Sequence, residues 1–127
     1  ILRIRCLKKK MLINLSQIKF EKVTGSYSQI NHLYYLLNNR KFPISHQKKK
    51  ISFRKHHNFV LKNSYRIWFI ILMKEDAIGS FYIKKDNSIG LNLEYQNQKL
   101  IKKIILFIKK NYKPLKSIPS EIPPYFY

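Results

Sequence analysis

The chain has 127 residues, enough for one domain built around a single core. Hydrophobic residues make up 45% and aromatic residues 14% of it, which excludes an intrinsically disordered protein. The 26 Lys and Arg against six Asp and Glu give a net charge of +20, so nucleic acid or another polyanion is a candidate partner. The abundance of Lys, Ile, Asn, Tyr and Phe, which have AT-rich codons, is a competing explanation of this charge.

Cysteine content and apolar runs predict a cytoplasmic protein. The single cysteine, Cys6, excludes an internal disulfide framework. The longest uninterrupted apolar run, Ile67–Met73, is too short to cross a bilayer as a helix. No apolar segment of a secretory signal follows Lys10.

The N-terminus is interpreted as a tail. The first residue is Ile1 and the first methionine is Met11, which suggests a natural start there. We therefore divide the chain into a basic N-terminal tail, residues 1–17, and a single domain, residues 18–127.

The first half of the domain predicts one strand and two helices. Gln17–Val23 alternates imperfectly, as a strand does. Ser28 is a possible cap for a helix, and Ser52 for a second helix that ends near Lys62. The predicted apolar positions are Ile30, Leu33, Tyr34 and Leu37 on the first helix, and Phe53, His56, Phe59 and Val60 on the second.

The middle of the chain predicts three antiparallel strands. Ile67–Met73 is apolar on both faces and is typical of a central strand. Ile78–Ile83 and Ile89–Leu93 follow it. The connections Lys74–Ala77 and Lys85–Ser88 are about four residues long, as expected for a meander of hairpins.

The last part of the chain predicts a loop, a helix and a further strand. The loop is Glu94–Gln98, and the helix runs from about Lys99 to Asn111. Its apolar face comprises Leu100, Ile101, Ile104, Ile105 and Ile108, with lysines largely opposite. Lys113–Pro124 holds four prolines and is irregular, after which Tyr125–Tyr127 is typical of the start of a strand.

This order of elements resembles the GNAT superfamily of acyl-CoA-dependent N-acyltransferases. The segments that carry the resemblance are Ser52–Val60, Tyr65–Met73, Ala77–Ile83 and Ser88–Glu94, followed by the loop at Gln96. The resemblance implies an α/β (α+β) fold, with a mixed, mainly antiparallel sheet flanked by helices. It also implies a member that is incomplete at its C-terminus, since the family continues after the fifth strand.

The resemblance further implies acetyl-CoA as co-substrate and a small-molecule amine or amino-sugar as acceptor. The backbone of Leu91 and Leu93 would pair with the pantetheine arm, and the pyrophosphate would lie at the loop and helix start. The residues of that loop and helix start are Gln96, Asn97, Gln98, Lys99, Leu100 and Ile101. Lys99 and Ile101 stand where the family has glycine, so the loop is degenerate. Lys99 and Lys102 would supply charge to CoA phosphates, or they form a solvated helix face.

Catalytic and metal sites are less defined. Glu94 is a candidate base by its chemistry, but it is also typical of a turn, so no catalytic residue is assigned. His56 and His57 would project about 100° apart on a helix, which gives no metal site by local geometry. The polar connection from Asn39 to His46 would shape the acceptor pocket or form a loop.

Two alternatives remain open. The first is a non-catalytic basic module that binds RNA or another polyanion. The second is self-association through unpaired strand edges, which predicts an oligomeric or poorly soluble chain.

Overall fold

The computed structural model describes residues 13–38, 52–115 and 125–127. These residues form four strands and three helices, in the predicted order. The strands are β1 (Ile18–Lys22), β2 (Ile67–Met73), β3 (Asp76–Ile83) and β4 (Ile89–Leu93). The helices are α1 (Tyr27–Asn38), α2 (Phe53–Lys62) and α3 (Gln98–Asn111).

The four strands form one antiparallel sheet in the order β1-β2-β3-β4. The β2–β3 turn is tighter than predicted, because Met73 pairs with Asp76 and only Lys74 and Glu75 lie between them. Lys74 adopts a positive φ of 60°, the left-handed backbone that two-residue hairpin turns require. The β2–β3 register shifts once, opposite Ile71 and Leu72.

The sheet separates two hydrophobic cores. All seven residues of β2 are buried, as predicted for a central strand, and they alternate between the two faces. One core lies between the sheet and α3, where Leu100, Ile104 and Ile108 are buried. The other core lies beneath α1 and α2 and receives Leu33. A mixed α+β fold with helices on both sheet faces is therefore confirmed.

The start of α1 differs from the sequence prediction. The helix begins at Tyr27, and Ser26, rather than Ser28, caps it by accepting a hydrogen bond from Gln29 N–H at 3.2 Å. The Gln29 side chain accepts in return from Ser26 N–H at 3.4 Å, which completes a capping box. Gln29 Nε2 also donates to Glu21 at 2.8 Å, so this buried amide ties the β1–α1 turn together.

The helix faces agree with the sequence in part. On α1, Leu36 is buried in place of Leu37. On α2, the Ser52 cap and the end at Lys62 are confirmed, with Ser52 Oγ accepting from the Lys55 N–H. His56 and Val60 are the buried residues of α2, whereas Phe53 and Phe59 are 36% and 43% exposed.

Residues 13–17, assigned to the tail from the sequence, contribute to the structure. Leu15–Gln17 forms a short 3-10 turn, and Ile13 and Leu15 pack against the core under α3. Residues 1–12, with Cys6 and Met11, lie outside the described part of the chain. No helix in residues 13–38, 52–115 and 125–127 has the length and apolar character needed to span a bilayer.

The β3–β4 turn anchors the chain that follows α3. Asn87 is fully buried at a φ of 71°, and its amide bonds both backbone groups of Leu115, at 2.8 and 3.0 Å. Tyr127 N–H donates to the Asn87 carbonyl, and Tyr127 O–H donates to Asp86. Donation from Ser88 O–H and N–H to the Asp86 carboxylate lowers the pKa of that group.

Candidate functional site

The hydrogen-bonding parity of β4 leaves part of its backbone directed away from β3. Lys84 N–H donates to the Ser88 carbonyl at 2.9 Å, and Glu94 N–H donates to the Ile78 carbonyl at 2.9 Å. These bonds flank β4 and fix which residues pair with β3, because antiparallel partners alternate. Even-numbered residues bond to β3, and the N–H and C=O groups of odd-numbered residues point to the outer edge.

The outer edge of β4 is partly occupied. Ile89 N–H donates to the Tyr127 carbonyl at 2.5 Å, while Tyr127 N–H bonds Asn87. In a parallel pair of strands, the N–H and C=O of one residue bond two residues that lie on either side of its partner in the other strand. Tyr127 bonds Asn87 and Ile89 in this way. Tyr125–Tyr127 therefore meets β4 as a parallel neighbour at its beginning. Further along β4, Leu91 and Leu93 present their backbone groups to an edge that no described residue pairs.

The side chains of β4 hold this edge in place. Leu93 packs against the core under α3, whereas Leu91 is 40% exposed. On the opposite face, Asn92 Nδ2 donates to the Leu36 carbonyl near the end of α1 at 3.3 Å. The hydroxyl of Tyr35 lies 3.5 Å from the Glu94 carboxylate, near the outer limit of a hydrogen bond. Thus α1 is fastened to the end of β4 that leads into the loop.

At the predicted loop and helix start, some backbone N–H groups are hydrogen-bonded and others are open. The helix begins one residue earlier than predicted, with Asn97 as its cap. Asn97 Oδ1 accepts from Leu100 N–H at 2.9 Å, and the Asn97 carbonyl accepts from Ile101 N–H at 3.0 Å. The N–H groups of Gln98 and Lys99 bond no group in the described part of the chain, as is typical of a first helical turn.

The side chains at this junction have different surroundings. Gln96, Gln98 and Lys99 are exposed, whereas Leu100 is buried in the core and Ile101 is half-buried. The amides at the helix start, together with Lys99, create a positive region at the end of β4. The structure therefore brings the eight predicted cofactor-binding residues to one end of β4, with five of them on its open edge or exposed junction.

Two structural features at this edge were not predicted. One is the Asn97 cap, which the pattern Asn-x-x before an apolar helix could have indicated. The other is the role of Asn87 and Tyr127, which depends on contacts between residues far apart in the sequence. The proposed acceptor segment from Asn39 to His46 lies outside the described residues.

Histidines and carboxylates do not converge at this edge. Within residues 13–38, 52–115 and 125–127, no group of three or more His, Cys, Asp or Glu side chains could hold a metal ion. His56 is buried, and its Nε2 lies 3.1 Å from the Ile30 carbonyl. A carbonyl only accepts, so Nε2 carries the proton. Burial lowers the pKa of His56, against the opposing effect of this bond.

Comparison with known proteins identifies the fold. One similar solved structure is an acetyl transferase from Salmonella typhimurium, described as modifying the N-terminal serine of the 50S ribosomal subunit protein L7/L12. The TM-score is 0.56 at 14% identity, over 80% of this chain and 70% of that one. No protein-family model and no curated protein matches the sequence. At this identity the likeness concerns the fold alone, which is GNAT-like.

Proposed function

We propose that this protein is a GNAT-like N-acyltransferase that transfers an acetyl group from acetyl-CoA to the amine of a small molecule or amino-sugar. The observation that carries the proposal is the open backbone of Leu91 and Leu93, which leads into the start of α3, where the N–H groups of Gln98 and Lys99 are open. The likeness to a solved acetyl transferase supports the same reading.

The edge of β4 suits a ligand with amides spaced along an extended chain. The pantetheine arm of acetyl-CoA contains two amide groups, each with one donor and one acceptor. Leu91 and Leu93 offer N–H and C=O groups of complementary type, as an edge strand does for an added strand. The half-exposed Leu91 side chain would cover the arm from one side.

The pyrophosphate would lie at the start of α3. Gln98 and Lys99 supply main-chain N–H groups, and the Lys99 and Lys102 ammonium groups supply charge. Leu100 and Ile101 N–H groups are engaged by Asn97, so fewer amides remain than in a glycine-rich loop. We therefore expect weak cofactor binding, with each exposed lysine contributing roughly 1 kcal/mol or less.

The transfer itself needs no nucleophile from the protein. The neutral acceptor amine attacks the thioester carbonyl, the C–N bond forms, and the C–S bond breaks to release the CoA thiolate. The amine proton passes to a base or to that thiolate. Glu94 is the acidic residue that directly follows β4, beside Tyr35, and Glu94→Gln tests it as the base.

Isothermal titration with acetyl-CoA tests cofactor binding. Leu91→Pro removes an outward N–H without removing a bond to β3, whereas Leu91→Ala keeps the N–H and removes the exposed side chain. We expect Leu91→Pro to weaken binding about tenfold, by loss of a hydrogen bond worth roughly 1 kcal/mol and crowding by the ring, with Leu91→Ala changing it less. Absence of heat at millimolar acetyl-CoA, in a sample shown to be folded, would overturn the proposal.

A second candidate function is the binding of RNA or another polyanion. The exposed face of α3 carries Lys99, Lys102, Lys109 and Lys110, and the helix has no acidic residue. If this face binds a polyanion, Lys109→Gln with Lys110→Gln should weaken retention on heparin as much as Lys99→Gln with Lys102→Gln. If Lys99 and Lys102 bind the CoA phosphates, only Lys99→Gln with Lys102→Gln should weaken binding in titrations with acetyl-CoA. Retention that does not change with salt would exclude the polyanion reading.

A further inference from the structure

The outer edge of β1 is the other open edge of the sheet. The Val23 N–H donates to the Trp68 carbonyl at 2.9 Å, and the Lys74 N–H donates to the Gln17 carbonyl at 3.3 Å. These bonds flank β1 and show that its odd-numbered residues bond to β2. The even-numbered residues therefore direct their N–H and C=O groups outward.

The outward positions are those of Ile18, Phe20 and Lys22, and no strand of the described chain pairs with them. The Ile18 N–H is engaged, because it donates to the Leu15 carbonyl of the preceding turn. The Lys22 carbonyl is engaged as well, because it accepts from Gln29 Nε2 at 2.8 Å. The Ile18 carbonyl, both backbone groups of Phe20 and the Lys22 N–H bond no group in the described part of the chain. A groove of about 450 Å³ opens on the face of this edge that carries α1, and it is lined by Lys19 and Glu21 of β1 and by Ser28 and His32 of α1. Such an edge is a template for another strand.

The charges on β1 select one antiparallel partner register for a second copy of the same strand. If Phe20 faces Phe20 of a second copy, Lys19 of each copy lies opposite Glu21 of the other. A shift of two residues in one direction places Lys19 opposite Lys19, and in the other direction Glu21 opposite Glu21. Shifts by one residue reverse the sheet faces and break the hydrogen-bonding parity. The register centred on Phe20 is thus the one with complementary charges and correct parity.

We propose that β1 pairs with β1 of a second copy about a twofold axis at Phe20, which joins two sheets into one of eight strands. The open groups match this register and would form up to four backbone hydrogen bonds, two between the Phe20 residues and two from the Lys22 N–H of one copy to the Ile18 carbonyl of the other. The two Lys19–Glu21 pairs would lie at the closely spaced positions of the ladder, where opposite charges stabilise and like charges destabilise. This interface does not depend on the proposed enzymatic function.

A charge-swap experiment tests the register. Sedimentation velocity of the full chain, over a range of concentrations at moderate salt, should show a monomer–dimer equilibrium. Lys19→Glu places two Glu pairs across the axis and should raise the dimer Kd about tenfold. Adding Glu21→Lys to it restores opposite charges and should return the Kd toward the original value, although Glu21 also bonds Gln29. Lys109→Glu, the same charge change on α3, should leave the Kd within about twofold.

Disulfide trapping provides a second measurement. In a Cys6→Ser background, a mixture of Lys19→Cys protein and Glu21→Cys protein should crosslink between copies. The two Cα atoms would be about 4.5 Å apart, within the range for a disulfide. Each variant alone should crosslink far less. A monomer at all concentrations, failure of the double swap to restore dimerisation, or equal crosslinking in the single-variant samples would overturn the proposal.

Discussion

Gly90→Ala should destabilise the protein through one neighbour, Tyr82. A Cβ built on Gly90 lies 2.1 Å from Cζ of Tyr82 and 2.4 Å from its Cε1 and hydroxyl oxygen. Ordinary contacts begin at 3.4 Å, so the ring would have to move. The backbone at Gly90 does not have a positive φ, and an alanine is therefore compatible with its conformation.

The expected cost follows from what Tyr82 loses. Its ring is stacked on Tyr65, with centroids 3.9 Å apart and planes 2° apart. Displacing it costs about 0.5–1.5 kcal/mol of aromatic interaction and roughly 0.5–1.5 kcal/mol of rotamer strain. Replacing glycine restricts the unfolded chain and returns about 0.4–1 kcal/mol. The net loss of unfolding free energy should be about 1–2 kcal/mol, or roughly 4–8 °C in Tm.

Urea unfolding of a double-mutant cycle measures this coupling. In the Tyr82→Ala background the obstruction is gone, so Gly90→Ala should be neutral or stabilising by up to about 1 kcal/mol. The coupling between the two sites should therefore exceed about 1 kcal/mol. An equal cost of Gly90→Ala in both backgrounds would show that the glycine serves the backbone of β4, and the steric explanation would be wrong.

Three further substitutions test buried polar groups. Asn87→Ala removes both bonds to Leu115 at a positive φ, and should lower the unfolding free energy by about 2–4 kcal/mol; Asn87→Gly should recover about 1 kcal/mol of this by urea unfolding. Gln29→Ala should cost about 1–3 kcal/mol in the same assay, because it leaves the partly buried turn amides of Thr24 and Gly25 without their acceptor. For His56, the folded pKa lies below the unfolded value of about 6.5, so the unfolded state binds more protons as pH falls below that value. The contribution of neutral, buried His56 to the unfolding free energy should be complete above pH ~6.5 and should decline as the pH falls toward the folded pKa. His56→Gln should lack this decline when urea midpoints are compared across pH.

Local sequence patterns predict most of the elements correctly. The limits of β2 and β4 are confirmed to the residue, and so is α2 with its Ser52 cap. These segments have strong local signals, namely a continuous apolar run, a bounded alternation and a hydroxyl residue before a helix. The prediction of Ser28 as the α1 cap is wrong, because the Ser26–Gln29 capping box starts the helix two residues upstream.

The sequence predicts which residues belong to the candidate site, and their role in cofactor binding stays a prediction; it does not predict which of their backbone groups are open. Family resemblance directs attention to Leu91 and Leu93, and the register then shows that their backbone groups point outward. The sequence does not show that Asn97 engages the amides of Leu100 and Ile101. Which residues of a strand bond to the neighbouring strand, and which point their backbone groups outward, depends on the register between the two strands. The open groups of β1 and β4 therefore could not be assigned from the sequence of either strand alone.

The sequence by itself determines the order of strands and helices, because hydrophobic periodicity and capping residues act over a few neighbouring positions. Which backbone groups remain open was decided only by the tertiary structure. Pairing of β1 and β4 to their neighbours assigns each amide to the inside or the outside of the sheet. Asn87 is polar and typical of a turn in the sequence, but in the structure it is buried and its side chain bonds both backbone groups of Leu115, which lies 28 residues further along the chain. Such contacts depend on chain segments meeting in space, and no local pattern contains them.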